Sequence, residues 1–149
     1  MLKALTSFFD QSREDGAAAE SAERELALAT AVLLVEVARA DFSEDDVEMD
    51  AVASLLTDHL DMPADEVDRL IREARHKADY SASLQSFTRQ LHEELSVDDK
   101  HRIIEMLWRV ALADSTLDKH EDHLIRRVAG LLYVSHSDLI RIRNRVRKA

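Results

Sequence analysis

Apolar residues recur along most of this chain at intervals of three and four, the spacing of one face of an α-helix. Leu2, Leu5, Phe8 and Phe9 predict a short helix over 2–10, and residues 11–19, with Gly16 the only strong breaker, read as a linker. Ser21 is a candidate N-cap for a helix running to about Ala40, whose Leu26, Ala29, Leu33 and Val37 follow helical spacing. Val32, Leu34 and Val35 widen that stripe, which predicts a central helix touched by neighbours on several sides. Ser43, with Asp46 three residues on in a variant of the capping box, opens a helix that turns Val47, Ala51, Leu55 and Leu56 inward and ends near His59.

Pro63 suits the first turn of a further helix with Val67, Leu70, Ile71 and Ala74 on its apolar face. Ser83, Phe87 and Leu91 mark a helix from about Ser81 to Leu95. Ser96 or Asp98 caps the next, where Ile103, Ile104, Leu107, Val110 and Ala111 repeat the pattern of a central helix. Leu124, Ile125, Val128 and Leu131 define a helix over about 117–131, and Ser135 or Ser137 starts a last one carrying Leu139, Ile142 and Val146.

The pattern occurs twice. An apolar run leads into Ala40-Asp41 and again into Ala113-Asp114, and each is followed by the spacing D-x-x-x-D-x-x-E. The acids are Asp41, Asp45 and Glu48 in the first copy and Asp114, Asp118 and Glu121 in the second, at a constant offset of 73. Met62 to Val67 then aligns with Val134 to Leu139 at an offset of 72, so one residue has been lost on the way. A constant offset of this kind is the mark of an internal duplication. The expected architecture is all-α: a compact bundle of seven to eight helices, built from two three-helix units joined by the 81–95 helix. The expected organisation is an N-terminal helix and linker over 1–19 and one helical domain over 20–149.

Composition agrees. Of 149 residues 46% are hydrophobic and 34% charged, and Gly and Pro together number three, which leaves little turn chemistry for sheets. There is no cysteine, which removes disulfides and thiolate metal sites and is compatible with the cytosol. No apolar run approaches the roughly 20 residues that span a bilayer, and the opening residues are too short and too soon charged for a signal peptide. Net charge is −10, but residues 1–99 hold 9 Lys/Arg against 24 Asp/Glu and residues 100–149 hold 11 against 6. This balance disfavours nucleic-acid binding and describes a bipolar molecule. The basic tail from Arg141 to Lys148 suits a helix C-terminus; it could also grip an acidic partner or an anionic lipid surface.

The paired acids carry the chemistry. Asp41 and Asp114 fall at helix C-termini, where the macrodipole disfavours a carboxylate, while Asp45, Glu48, Asp118 and Glu121 fall in the first turn of the following helix. One account is capping alone. The other is that each corner gathers three carboxylates around a divalent cation, Ca²⁺ or Mg²⁺ before Mn²⁺, because the ligands are all oxygen. The spacing is not that of an EF-hand loop. His120 and His123 read as surface or boundary residues. Glu36 and Arg109, again 73 apart, could pair across the pseudo-dyad or face solvent. Trp108 and Tyr133 read as core or rim aromatics. No nucleophile elbow, phosphate loop or zinc-protease motif is present, so any catalysis would rest on carboxylates and metal.

The stretches 34–41, 107–114 and 120–127 resemble the bacterial tellurite-resistance TerB family, in its stand-alone branch, over about residues 24–146. The resemblance implies an all-helical fold, a cytoplasmic bacterial protein and metal binding at Asp41, Asp45, Glu48, Asp114, Asp118 and Glu121. Family members often carry Gly after the corner Asp; this chain has Phe42 and Ser115. The expectation is therefore a non-enzymatic module that binds a divalent cation and a protein partner in metal or stress response, with homodimerisation and peripheral membrane contact both compatible. The competing readings are a small carboxylate-and-metal hydrolase and a scaffold whose acids only cap helices.

Overall fold

A computed structural model of the chain describes residues 17–40, 46–80, 84–113 and 116–148. The expected 2–10 helix lies outside the described residues. Among those described there are seven helices: α1 (Ala17–Ala38), α2 (Asp46–Leu60), α3 (Ala64–Tyr80), α4 (Gln85–Glu94), α5 (Val97–Ala111), α6 (Lys119–Leu131) and α7 (His136–Lys148). No strand occurs among them.

The duplication is visible in the packing. α1 and α5, the two widely apolar helices, lie against each other, and each packs on its own following pair: α1 on α2 and α3, α5 on α6 and α7. The cross-contacts are reciprocal as well. α2 of the first unit touches α5 of the second, and α6 of the second touches α1 of the first. An approximate two-fold arrangement of two three-helix units gives this pattern. α4 joins the units and packs on α1 and α6.

The core lies along α1 and α5. Leu26, Val32, Leu33, Leu34, Val35 and Val37 are buried on α1, and Ile103, Ile104, Met106, Leu107, Trp108 and Val110 on α5. Side chains of this size each contribute about 1.5–3 kcal/mol on full burial, so the two axial helices hold much of the stability. Trp108 is fully buried, and its indole Nε1 donates to the Leu139 carbonyl at 3.3 Å, tying α5 to α7. Thr30, the polar residue in the α1 stripe, donates its hydroxyl to Leu26 O at 2.9 Å and so is satisfied within its own helix.

Helix ends mostly follow their local chemistry. Ser96 caps α5 by accepting from Asp99 N–H at 3.2 Å, and Ser135 caps α7 by accepting from Asp138 N–H at 3.1 Å. Pro63 stands at the entrance of α3, its carbonyl accepting from Val67 N–H at 3.0 Å. Two expectations are corrected. α1 begins at Ala17, before Ser21, so residues 17–19 are helix rather than linker; Ala17-Ala18-Ala19 are the strongest helix formers and need no cap at Ser21 to continue. α4 begins only at Gln85, where Leu84 precedes it without a side-chain cap. The lost residue falls within the second helix of each unit, between Glu48 and Glu121 at an offset of 73 and the left-handed Asp61 and Tyr133 at an offset of 72.

Candidate functional site

The second acidic corner is described from Thr116 onward. Asp118 is the N-cap of α6, in extended backbone (φ −75°, ψ 145°), and its Oδ2 accepts from His120 N–H at 2.8 Å. Glu121 reaches back, its Oε1 accepting from Asp118 N–H at 3.2 Å, which completes a capping box. The His120 ring lies on the same oxygen, Nδ1 3.0 Å from Oδ2. The His120 backbone N–H foremost, with the His120 ring and the Glu121 N–H, holds the Asp118 carboxyl below the usual carboxylate range.

Glu48 and Glu121, at equivalent places in the two units, are both buried, with 1% and 0% exposure. Asp41, Asp45 and Asp114 lie outside the described residues. Of the six sequence-predicted acids the structure thus describes three, two of them joined in one cap. Among the described residues no three His, Asp or Glu side chains come together as a ligand cluster.

The same end of the molecule holds an open groove of about 710 Å³. One wall is the C-terminal end of α1, with Glu36, Arg39 and Ala40; the other is the start of α6, with Lys119, His120, His123 and Leu124. Ala40 immediately precedes Asp41 in sequence, and Lys119 immediately follows Asp118, so this groove joins the flanks of both corners. Burial pushes the Glu36 carboxyl up, Arg39 opposes that shift and Asp79 adds to it. Arg39 itself donates to Asp79 Oδ1 on α3 at 2.7 Å. The groove therefore combines a carboxyl that holds its proton to higher pH than usual with a lysine and two exposed imidazoles.

Glu36 and Arg109 are not brought together. Arg109 pairs with Glu105, one turn earlier on α5, at 3.1 Å, while Glu36 faces the groove. Glu105 also receives Arg145 of α7 at 3.1 Å. The groove itself is not evident from the sequence as a site. Its only trace is that Glu36 breaks the apolar run five residues before Asp41, a signal equally consistent with solvent exposure.

The all-helical fold accords with the comparison of known families. The family model described as "Tellurite resistance protein TerB" matches residues 27–144, well over half of the chain. The chain belongs to the TerB family. Comparison with curated proteins and with solved structures finds no match. As a TerB member the chain keeps the all-helical bundle, and no described helix is long and apolar enough to cross a membrane.

Proposed function

We propose that this TerB domain is a non-enzymatic, cytoplasmic module that binds a divalent cation, Ca²⁺ or Mg²⁺, at the corner groove and presents the loaded groove to a protein partner. The observation that supports the reading is the groove's lining: Ala40, the residue before Asp41, and Lys119, the residue after Asp118, stand on the walls of one opening. A hard cation needs ionised oxygens, and Asp118 fits that need, since its carboxyl is held in the charged form while its cap uses Oδ2. Asp118 and Glu121, with Glu48, Asp41, Asp45 and Asp114, would hold the ion; a bound cation would neutralise their mutual repulsion. Glu36 would serve as a base in a hydrolase, but no hydroxyl or thiol lines the groove among the described residues, and the family context favours binding over catalysis.

The capping reading is favoured by a specific observation, the capping box itself, and the two readings part on one measurement. Thermal melts of wild type and of the Asp41→Asn/Asp114→Asn double variant are compared in EDTA and in millimolar Ca²⁺ or Mg²⁺. If the acids hold a cation, the ion stabilises wild type by RT ln(1 + [L]/Kd), about 2.7 kcal/mol at a hundredfold excess over Kd. The double variant is then the more stable protein in EDTA and the less stable one with metal. A wild-type melting temperature that ignores both ions leaves capping as the role of these residues.

A further inference from the structure

Tyr133 stands where a tyrosine is out of place. It follows α6 in the left-handed region (φ 60°), with its N–H on Gly130 O at 3.1 Å and Val134 N–H on Ala129 O at 2.9 Å. That is the Schellman arrangement, whose left-handed residue is usually glycine because a β-carbon there is strained. Burial does not offset the strain, since Tyr133 is 78% exposed. The matched exit of the first unit puts Asp61 in the same conformation, so the left-handed turn belongs to the fold while a tyrosine there does not, and strain held at an exposed position points toward function.

Its surroundings are ordered from within. The Tyr133 ring rests on the His92 ring of α4, centroids 4.5 Å apart and planes inclined by 38°. Behind His92, Lys100 Nζ donates to Nδ1 at 2.6 Å. A lysine donor makes Nδ1 the acceptor, so the imidazole proton is assigned to Nε2, leaving an N–H donor. Lys100 is only 8% exposed, so its bond to Nδ1 holds the imidazole from the buried side. Arg89, one turn before His92 on the same face of α4, is exposed and makes no ion pair among the described residues. Gln85, Thr88, Arg89 and His92 of α4 with Leu131 and Tyr133 line a cleft of about 170 Å³. Sites for drug-sized ligands run to about 300–1,000 Å³, so this one suits a single side chain.

We propose that the cleft between α4 and the end of α6 binds an oxyanion-bearing side chain of a partner polypeptide. Arg89 and His92 Nε2–H are the donors to the oxyanion, and the Tyr133 ring is the wall against which its stem lies. The chemistry shared by a glutamate carboxylate and a phosphoryl group fits both donors. The cleft sits at the opposite end of α6 from the corner groove, about 20 Å away along the thirteen-residue helix. The proposal therefore stands independently of the cation reading.

The test is a titration of the full chain with N-acetyl-glutamate amide and with N-acetyl-O-phosphoserine amide, read by NMR at the His92 ring. At least one probe is expected to give a saturable shift, and which one saturates identifies the source as an acidic or a phosphorylated side chain. Arg89→Ala, a surface change, is expected to weaken that probe about tenfold or more without moving the melting temperature. Tyr133→Gly is expected to weaken it while holding or raising the melting temperature, because glycine relieves the left-handed strain. Absence of a saturable shift with either probe, or an affinity unchanged in Arg89→Ala, overturns the proposal. A fall in melting temperature for Tyr133→Gly overturns the assignment of Tyr133 to recognition, since the ring would then be part of the fold.

Discussion

The two three-helix units share a backbone plan and differ in what they place at matched positions. Val35 on α1 corresponds to Trp108 on α5, and both are fully buried. Glu36 corresponds to Arg109, the first facing the groove and the second bound to its own helix. Asp61 corresponds to Tyr133, and both are left-handed, at φ 55° and 60°. Aspartate adopts that conformation readily, whereas tyrosine does not. The comparison separates what the fold demands from what each half has been free to change. Burial at the axis and the left-handed exit of the second helix are demanded by the plan; charge and ring identity at the rim are not.

The sharpest way to break the comparison is at the axis. Trp108→Ala removes a buried ring and the indole bond to Leu139 O, and an aromatic-to-alanine change in a core costs about 3–5 kcal/mol. Val35→Ala at the matched site deletes far less volume and is expected to cost less than half as much. Urea unfolding of the two variants measures both. Equal costs would mean that the halves do not share the core as matched units.

A smaller effect is expected at the acidic corners. Glu121→Ala opens the capping box and strips Asp118 N–H of its acceptor, a loss of about 0.5–2 kcal/mol. Glu121→Gln keeps an acceptor oxygen and is expected to retain most of that stability. Glu48 is buried at the same place in the first unit, so Glu48→Ala is expected to lose a comparable amount. Thermal melts in EDTA keep any cation out of the comparison, and a Glu48→Ala variant as stable as wild type would show that the corners use their glutamates differently.

How far the sequence carries is itself uneven between levels. The helical class, the duplication and the exchange of α1 and α5 as central helices are legible, because wide apolar stripes and a constant offset report burial directly. Ser96 and Asp118 are legible as caps because their chemistry is local. What pattern does not reveal is long-range. The groove arises from the end of α1 meeting the start of α6, which no spacing within either helix encodes. Tyr133 reads as a core or rim aromatic from its apolar neighbours Leu131 and Leu132, and which of the two is decided only by the Schellman turn, which reverses the chain at that residue and leaves the ring exposed at the rim. The start of α1 is misplaced for the opposite reason. A plausible cap at Ser21 carries less weight than three alanines that extend the helix without one.

The smallest expected effect is also the one that tests the groove most directly. Glu36 has its carboxyl pushed up by burial, so in the folded state it holds its proton to higher pH than in the unfolded chain. Above the folded value, where both states are ionised, the buried charge opposes folding. As pH falls through the folded value the carboxyl becomes neutral in the native state, and this opposition fades; below the unfolded value it is absent. Glu36→Gln is therefore expected to raise stability slightly above the folded value and to match wild type in acid below the unfolded carboxyl value. Arg109→Gln at the matched position does the reverse at neutral pH, losing the few tenths of a kcal/mol of a partly exposed pair with Glu105. Melting temperatures of the two variants against pH, in EDTA, give the answer. A Glu36→Gln advantage that persists unchanged into acid would show that charge burial in the groove is not its cause.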